Sequence, residues 1–192
     1  MIGTALHHTS NFVTNAANML TLARLAASPV LFWLVLDNEA TKGASWAGVL
    51  LGTLMAATDT FDGRLARRAG VTRSGAFLDP LADKVVVLGS AWCLVAVGGY
   101  WWLPVTLITV REVGISLWRA YWTRYGLSVP ARRSAKYKTL VQGAALLIAV
   151  APPLEDHRWV IAGALWIAVG FTLVSGWQYV RDGRAATSVT GA

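Results

Sequence analysis

Four aspartates are the residues best placed to do chemistry. Asp59 and Asp62 lie in Asp59-Thr60-Phe61-Asp62-Gly63-Arg64-Leu65-Ala66-Arg67; after seven intervening residues Gly75 precedes Asp79 and Asp83. Spacings of three and four place each pair on one face of a helix. The flanks are apolar, Val49 to Ala57 before the group and Val85 to Val97 after it. Carboxylates at the edge of an apolar span are costly unless something uses them. Two helices joined by a turn around Gly70 to Gly75 would aim all four into one cavity, the oxygen-only environment that hard divalent cations prefer. The bland alternative is that each acid pairs with Arg64 or Arg67 inside the fold. Gly63 falls within the first helix, where glycine costs about 1 kcal/mol relative to alanine. Its missing side chain lets a ligand approach the backbone or lets two helices pack closely, and Ala66 is small one turn further on.

These helices belong to a chain that is 55% apolar and 14% charged, with a mean hydropathy of +0.50. A span of hydrocarbon needs about 20 apolar residues. Six such runs are expected, at about 19–36, 44–61, 82–99, 102–122, 138–153 and 159–179. The expected fold is therefore all-α, a polytopic integral membrane protein with six transmembrane helices in a single domain over 1–184. Residues 9–17 form a candidate short interfacial helix. The small, polar 185–192 tail is expected to be disordered. The first span lacks a basic leader and a cleavage site, so it is expected to be retained.

Charge orients the spans. The 36–45, 98–103 and 154–158 connections hold only Lys42 and Arg158 of the 17 Lys and Arg. The other side carries Arg64, Arg67, Arg68, Arg73, Arg119, Arg124, Arg132, Arg133, Lys136, Lys138, Arg181 and Arg184. The positive-inside rule makes that second side cytoplasmic, with both termini and the acidic motif on it. Trp46, Trp101, Trp102 and Trp159 mark outer ends and Trp118, Trp122 and Trp177 inner ends, as interfacial anchors do. The net charge of +7 suits an anionic lipid face. Its juxtamembrane placement speaks against nucleic acid as a partner. Cys93 stands alone in an apolar run and reads as packing.

The motif resembles the signature of the CDP-alcohol phosphotransferase family, D-x2-D-G-x2-A-R, a short spacer, then G-x3-D-x3-D, with every fixed position present. The resemblance extends over about Asn18 to Gln142. It implies metal-dependent transfer of a phosphatidyl group from a CDP-linked lipid to an alcohol, with CMP leaving. It implies Asp59, Asp62, Asp79 and Asp83 as ligands of Mg²⁺ or Mn²⁺, two ions in all, and Asp83 as the catalytic base. Gly63, Ala66, Arg67, Thr72 and Gly75 would meet the CDP-lipid. Asn18 and Thr21 would join them from Asn18-Met19-Leu20-Thr21-Leu22-Ala23-Arg24, which is similar to the N-x-x-T-x-x-R stretch opening the family's first helix. A homodimer in a bacterial inner or plasma membrane is the implied setting.

Arg111 and Glu112 interrupt the fourth apolar run. Charged residues inside a span are functional candidates by default, and an internal ion pair that orients helices is the alternative. Together with Arg119 and with Ala135-Lys136-Tyr137-Lys138-Thr139, they resemble segments of the family members that act on glycerol 3-phosphate, although those relatives usually carry Gly at the position of Ala135. Arg111, Arg119, Lys136 and Lys138 are thus expected to bind the acceptor's phosphate, a task suited to arginine. A sister enzyme using inositol phosphate, another phosphatidyl lipid or serine would keep the same aspartates. An intramembrane cation transporter would explain the acids but not the Gly63, Ala66, Arg67 and Gly75 pattern. An inactive scaffold would bind metal or lipid without turnover.

Overall fold

The computed structural model describes the backbone of residues 2–69, 73–124 and 133–190, and the side chains of 19–58, 81–121 and 137–181. All regular structure among them is helical: α1 (Ile2–Asp37), α2 (Trp46–Ala69), α3 (Arg73–Ala96), α4 (Trp102–Arg124), α5 (Arg133–Val150) and α6 (Arg158–Thr190), with single 3-10 turns at Glu39–Thr41 and Pro152–Leu154. The all-α expectation is met.

Among the described residues two helices, Met19–Asp37 of α1 and Arg158–Arg181 of α6, are long and apolar enough to cross a membrane. Trp46–Thr58 and Tyr137–Val150 are shorter apolar stretches. The expected six are thus met by two on this measure. In α4, Arg111 and Glu112 fall inside the apolar run. Residues 9–17 are not a separate interfacial helix: α1 runs unbroken from Ile2 to Asp37, and no Pro or Gly falls between Thr4 and Ser28 to stop it. At the other end α6 reaches Thr190, well into the 185–192 tail; Ala185 and Ala186 are strong helix formers there.

Pro29 sits inside α1. Proline lacks the N–H that would reach the carbonyl four residues back. That carbonyl belongs to Leu25, and the Ser28 hydroxyl donates to it at 2.7 Å. The helix ends where the Asn38 amide donates to the Leu34 carbonyl at 2.8 Å. Lys42 and Gly43 then turn the chain with φ of 54° and 88°. Gly43 is required twice over, by that φ and because a Cβ would lie 2.9 Å from Leu94 Cδ2.

α1 packs on α2 and α3, α5 on α6, and α4 on α6, with α3 also touching α4 and α5. The apolar core gathers Val35, Leu94, Val97, Val105, Ile108, Ala149, Ile161 and Leu165, from the end of α1 and α3, the start of α4, the end of α5 and the start of α6. It fills one half of the bundle. The three connections at that end are tied together. The Ser45 N–H donates to the Val150 carbonyl at 2.9 Å. The Arg158 guanidinium donates to the carbonyls of Gly98 and Gly99 at 2.8 and 2.7 Å.

Tyr100 belongs to this end. It is buried, and burial pushes its phenol above the ordinary range. The hydroxyl has no hydrogen-bond partner among the described residues. A buried polar group left unpaired costs about 1–3 kcal/mol. Tyr100→Phe is therefore expected to hold or raise the thermal midpoint in detergent; a clear fall would reveal a bond the hydroxyl makes.

Candidate active site

Among the described residues, the buried charged side chains Arg24, Glu112 and Lys138 occupy the other half of the bundle. α2 carries Asp59, Asp62, Gly63, Ala66 and Arg67 in its last turns, and α3 carries Gly75, Asp79 and Asp83 in its first. The expected pair of helices bearing the four aspartates therefore exists. The side chains of Asp59, Asp62, Arg67 and Asp79 lie outside the described residues, as do those of Asn18 and Lys136 and the whole of Thr72. Four carboxylates are the donor chemistry that suits a hard divalent cation, and Asp59, Asp62 and Asp79 are the residues that would hold one.

Asp83 is described. Its carboxylate Oδ1 accepts from Arg24 Nη1 at 3.1 Å. Arg24 was not among the expected site residues, although it ends the stretch that contains Asn18 and Thr21. A lone arginine at the start of an apolar span was the signal that could have found it. Thr21 is buried one turn before Arg24 on α1.

Deeper along the same half, a buried ionic cluster joins three helices. Glu112 Oε1 on α4 accepts from Lys138 Nζ on α5 at 2.5 Å and from Arg111 Nη1 at 2.9 Å. Arg111 Nη2 donates to Ser175 Oγ on α6 at 2.9 Å. Gly176 makes room for this arginine: a Cβ there would sit 2.9 Å from its Nε. Beside it Gln142 Nε2 donates to Thr172 Oγ1 at 2.8 Å, and the Thr172 hydroxyl donates to the Ala168 carbonyl at 2.6 Å. Arg111 and Lys138, both expected in an anion site, are thus brought together. Each is already engaged by Glu112, so the alternative of an internal ion pair is met at the same place. Arg119 stands apart, exposed two turns along α4 beside the edge-to-face pair of Trp118 and Tyr179. Ser175, Gln142 and Thr172 went unnoticed in the sequence because isolated small polar residues in apolar helices ordinarily bond their own backbone.

Lys84, next to Asp83, lies within Coulombic reach of both Glu112 and Lys138. The acidic helix pair and the basic cluster are therefore neighbours, and Arg111 Nε is a buried donor with no acceptor among the described residues. A helical bundle with a carboxylate motif at one end and buried cations beside it is built to act on anionic substrates.

Comparison with known proteins agrees. The family model for CDP-alcohol phosphatidyltransferase matches residues 14–174. The chain is 36% identical over 188 residues to "Probable phosphatidylglycerophosphate synthase" of Mycobacterium tuberculosis, covering 93% of this chain and 85% of that one. It is 35% identical over 184 residues to the CDP-diacylglycerol--glycerol-3-phosphate 3-phosphatidyltransferase of Bacillus subtilis, with 86% and 93% covered. The Pseudomonas fluorescens protein of the same name is 37% identical over 178 residues, with 87% and 89% covered. This chain belongs to the CDP-alcohol phosphatidyltransferase family.

Proposed function

We propose that this enzyme transfers the phosphatidyl group of CDP-diacylglycerol to sn-glycerol 3-phosphate, yielding phosphatidylglycerol phosphate and CMP. The relatives' names supply the substrates, and one observation on this chain carries the acceptor: Arg111 and Lys138 converge beside the Asp83 helix. A phosphorylated alcohol needs such cations, while serine or inositol would not.

The acceptor hydroxyl oxygen attacks the lipid-side phosphorus of the donor. A new P–O bond forms, the bond to CMP breaks, and CMP leaves with the electron pair. Asp83 takes the hydroxyl proton, as a carboxylate within reach of the nucleophile can. A divalent cation, Mg²⁺ or Mn²⁺, held by Asp59, Asp62 and Asp79 would neutralise the pyrophosphate and polarise the phosphorus. Asp83 stands near enough along α3 to meet a second ion. Gly63, Ala66 and Gly75 leave room at the backbone for the nucleotide, and Arg67, Thr72, Asn18 and Thr21 supply polar contacts to the CDP-lipid. Lys136 would complete the acceptor's phosphate site with Arg111 and Lys138. No covalent intermediate is needed.

All six helices span the membrane in this proposal. The short connections carrying Lys42 and Arg158 face outward, and the acidic motif and both termini face the cytoplasm. Exposed Trp46, Trp102, Trp159 and Trp177 lie at the two interfaces. Residues 1–184 act as one domain, as a homodimer in the cell membrane.

CMP release from the purified protein tests this. Release with CDP-diacylglycerol and Mg²⁺ or Mn²⁺ is expected to depend on glycerol 3-phosphate and to stop with chelator. Release driven by inositol phosphate, inositol or serine instead would keep the family chemistry and discard the acceptor. Cation flux without CDP-lipid would favour a transporter.

A further inference from the structure

Arg111 on α4 and Ser175 on α6 are 64 positions apart in the chain and meet at 2.9 Å. Ser175 is buried, and its hydroxyl donates to the Thr172 carbonyl, one turn back on α6, at 3.0 Å. That bond commits the hydroxyl proton to the helix and leaves an oxygen lone pair for Arg111 Nη2. Gly176 is the next residue. A Cβ there would lie 2.9 Å from Arg111 Nε and 3.1 Å from its Cγ. The arginine therefore lies close against bare α6 backbone, where a side chain would have to displace it.

The guanidinium is held from two directions. Nη1 donates to Glu112 at 2.9 Å on its own helix, and Nη2 donates to Ser175 on another. Bonds to two different helices fix the plane of the group, where either alone would let it turn. Nε remains a buried donor with no acceptor among the described residues. A planar guanidinium meets a phosphate as a fork, through two parallel N–H groups. The tilt of its plane therefore decides how well the phosphate is met. Lys138 Nζ supplies charge without such a plane.

We infer that Ser175 is a positioning residue for Arg111 and, through it, sets the fit of the enzyme for a phosphorylated acceptor. Its hydroxyl holds the guanidinium plane so that Nε is offered to the phosphate, and Gly176 gives the side chain its room. The last apolar helix, far in sequence from the acidic motif, thus takes part in choosing the acceptor. This rests on the assignment of Arg111 to the acceptor's phosphate.

The test compares wild type, Ser175→Ala, Ser175→Thr and Arg111→Gln as full-length protein in detergent. CMP release is followed at varied glycerol 3-phosphate and, separately, at varied CDP-diacylglycerol. In Ser175→Ala, KM for glycerol 3-phosphate is expected to rise about 10-fold, the scale of one hydrogen bond to a charged group, with KM for CDP-diacylglycerol within about threefold of wild type. Threonine can repeat the bond to the carbonyl one turn back, so Ser175→Thr is expected to keep KM for glycerol 3-phosphate within about threefold. A clamp between α4 and α6 with no part in acceptor binding would move both substrates alike. An unchanged KM for glycerol 3-phosphate in Ser175→Ala, an equal rise for both substrates, or no rescue by threonine would overturn the inference. Should Ser175→Ala not fold, Ser175→Cys takes its place, because a thiol is a weak acceptor; the same selective rise is expected there, and its absence refutes the role. Arg111→Gln separates the two levels, since Glu112 keeps Lys138 as its partner in that variant. If its KM for glycerol 3-phosphate is that of wild type, the acceptor assignment falls and the inference with it. If that KM rises while Ser175→Ala is normal, only the role of Ser175 falls.

Discussion

Asp83→Asn is expected to lower CMP release by about 100- to 10,000-fold, the range over which a positioned acid or base contributes. Asparagine keeps the shape of the side chain and can still meet the Arg24 guanidinium through its carbonyl oxygen. It cannot accept the acceptor's proton at neutral pH. On the proposed assignment donor binding depends instead on Asp59, Asp62 and Asp79 and the contacts of α2, so the variant should still take up CDP-diacylglycerol with Mn²⁺. Equilibrium binding of the CDP-lipid and single-turnover CMP release, measured on one preparation, separate the two. Turnover near wild type would remove Asp83 from proton transfer. Loss of donor binding in proportion to turnover would make it a metal ligand first.

Glu112→Gln is expected to be the most destabilising single change in the described polar half. Arg111 and Lys138 would both lose their shared carboxylate while staying buried. Breaking a buried pair by removing one partner costs about 3–5 kcal/mol, and here two cations are stranded together. The thermal midpoint in detergent should fall clearly. Glycerol 3-phosphate should then restore more stability to the variant than it adds to wild type, because ligand binding to the folded state raises its stability and the acceptor phosphate replaces the missing charge. A fall in midpoint that glycerol 3-phosphate leaves untouched would make the cluster a clamp between α4, α5 and α6 and nothing more.

The all-helical architecture and the helices bearing the acidic motif were legible in the sequence, because length, apolarity and three- and four-residue spacing report directly on helices. The convergence of Arg111 and Lys138 was legible too, since charges inside apolar runs must meet something. What they meet was not. Glu112 serves both cations, and no local pattern links a residue on α4 to one 26 positions later on α5. Arg24 was hidden for the same reason: its partner is fixed by how closely α1 approaches α3, which turns on the absence of a side chain at Gly89. Long-range pairs of this kind depend on helix packing, and periodicity carries no information about it. The helix termini were missed where the chain is polar. Residues 9–17 and 185–190 lack the apolar run that marks a span, yet they simply prolong α1 and α6.

The tied connections at the apolar end have a mechanical consequence. Ser45 bonded to Val150, and Arg158 to Gly98 and Gly99, fasten the helices at one end, while the polar end is held by side-chain ion pairs. In such a bundle any tilt of the helices would pivot at the fastened end. The 24-residue α2 and α3 are each about 36 Å long at 1.5 Å per residue, so a tilt of about 5° at the hinge opens the tips by about 3 Å. The aspartates sit 13 to 17 residues from that end, about 20–25 Å along the lever, so the same tilt would move them by about 2 Å.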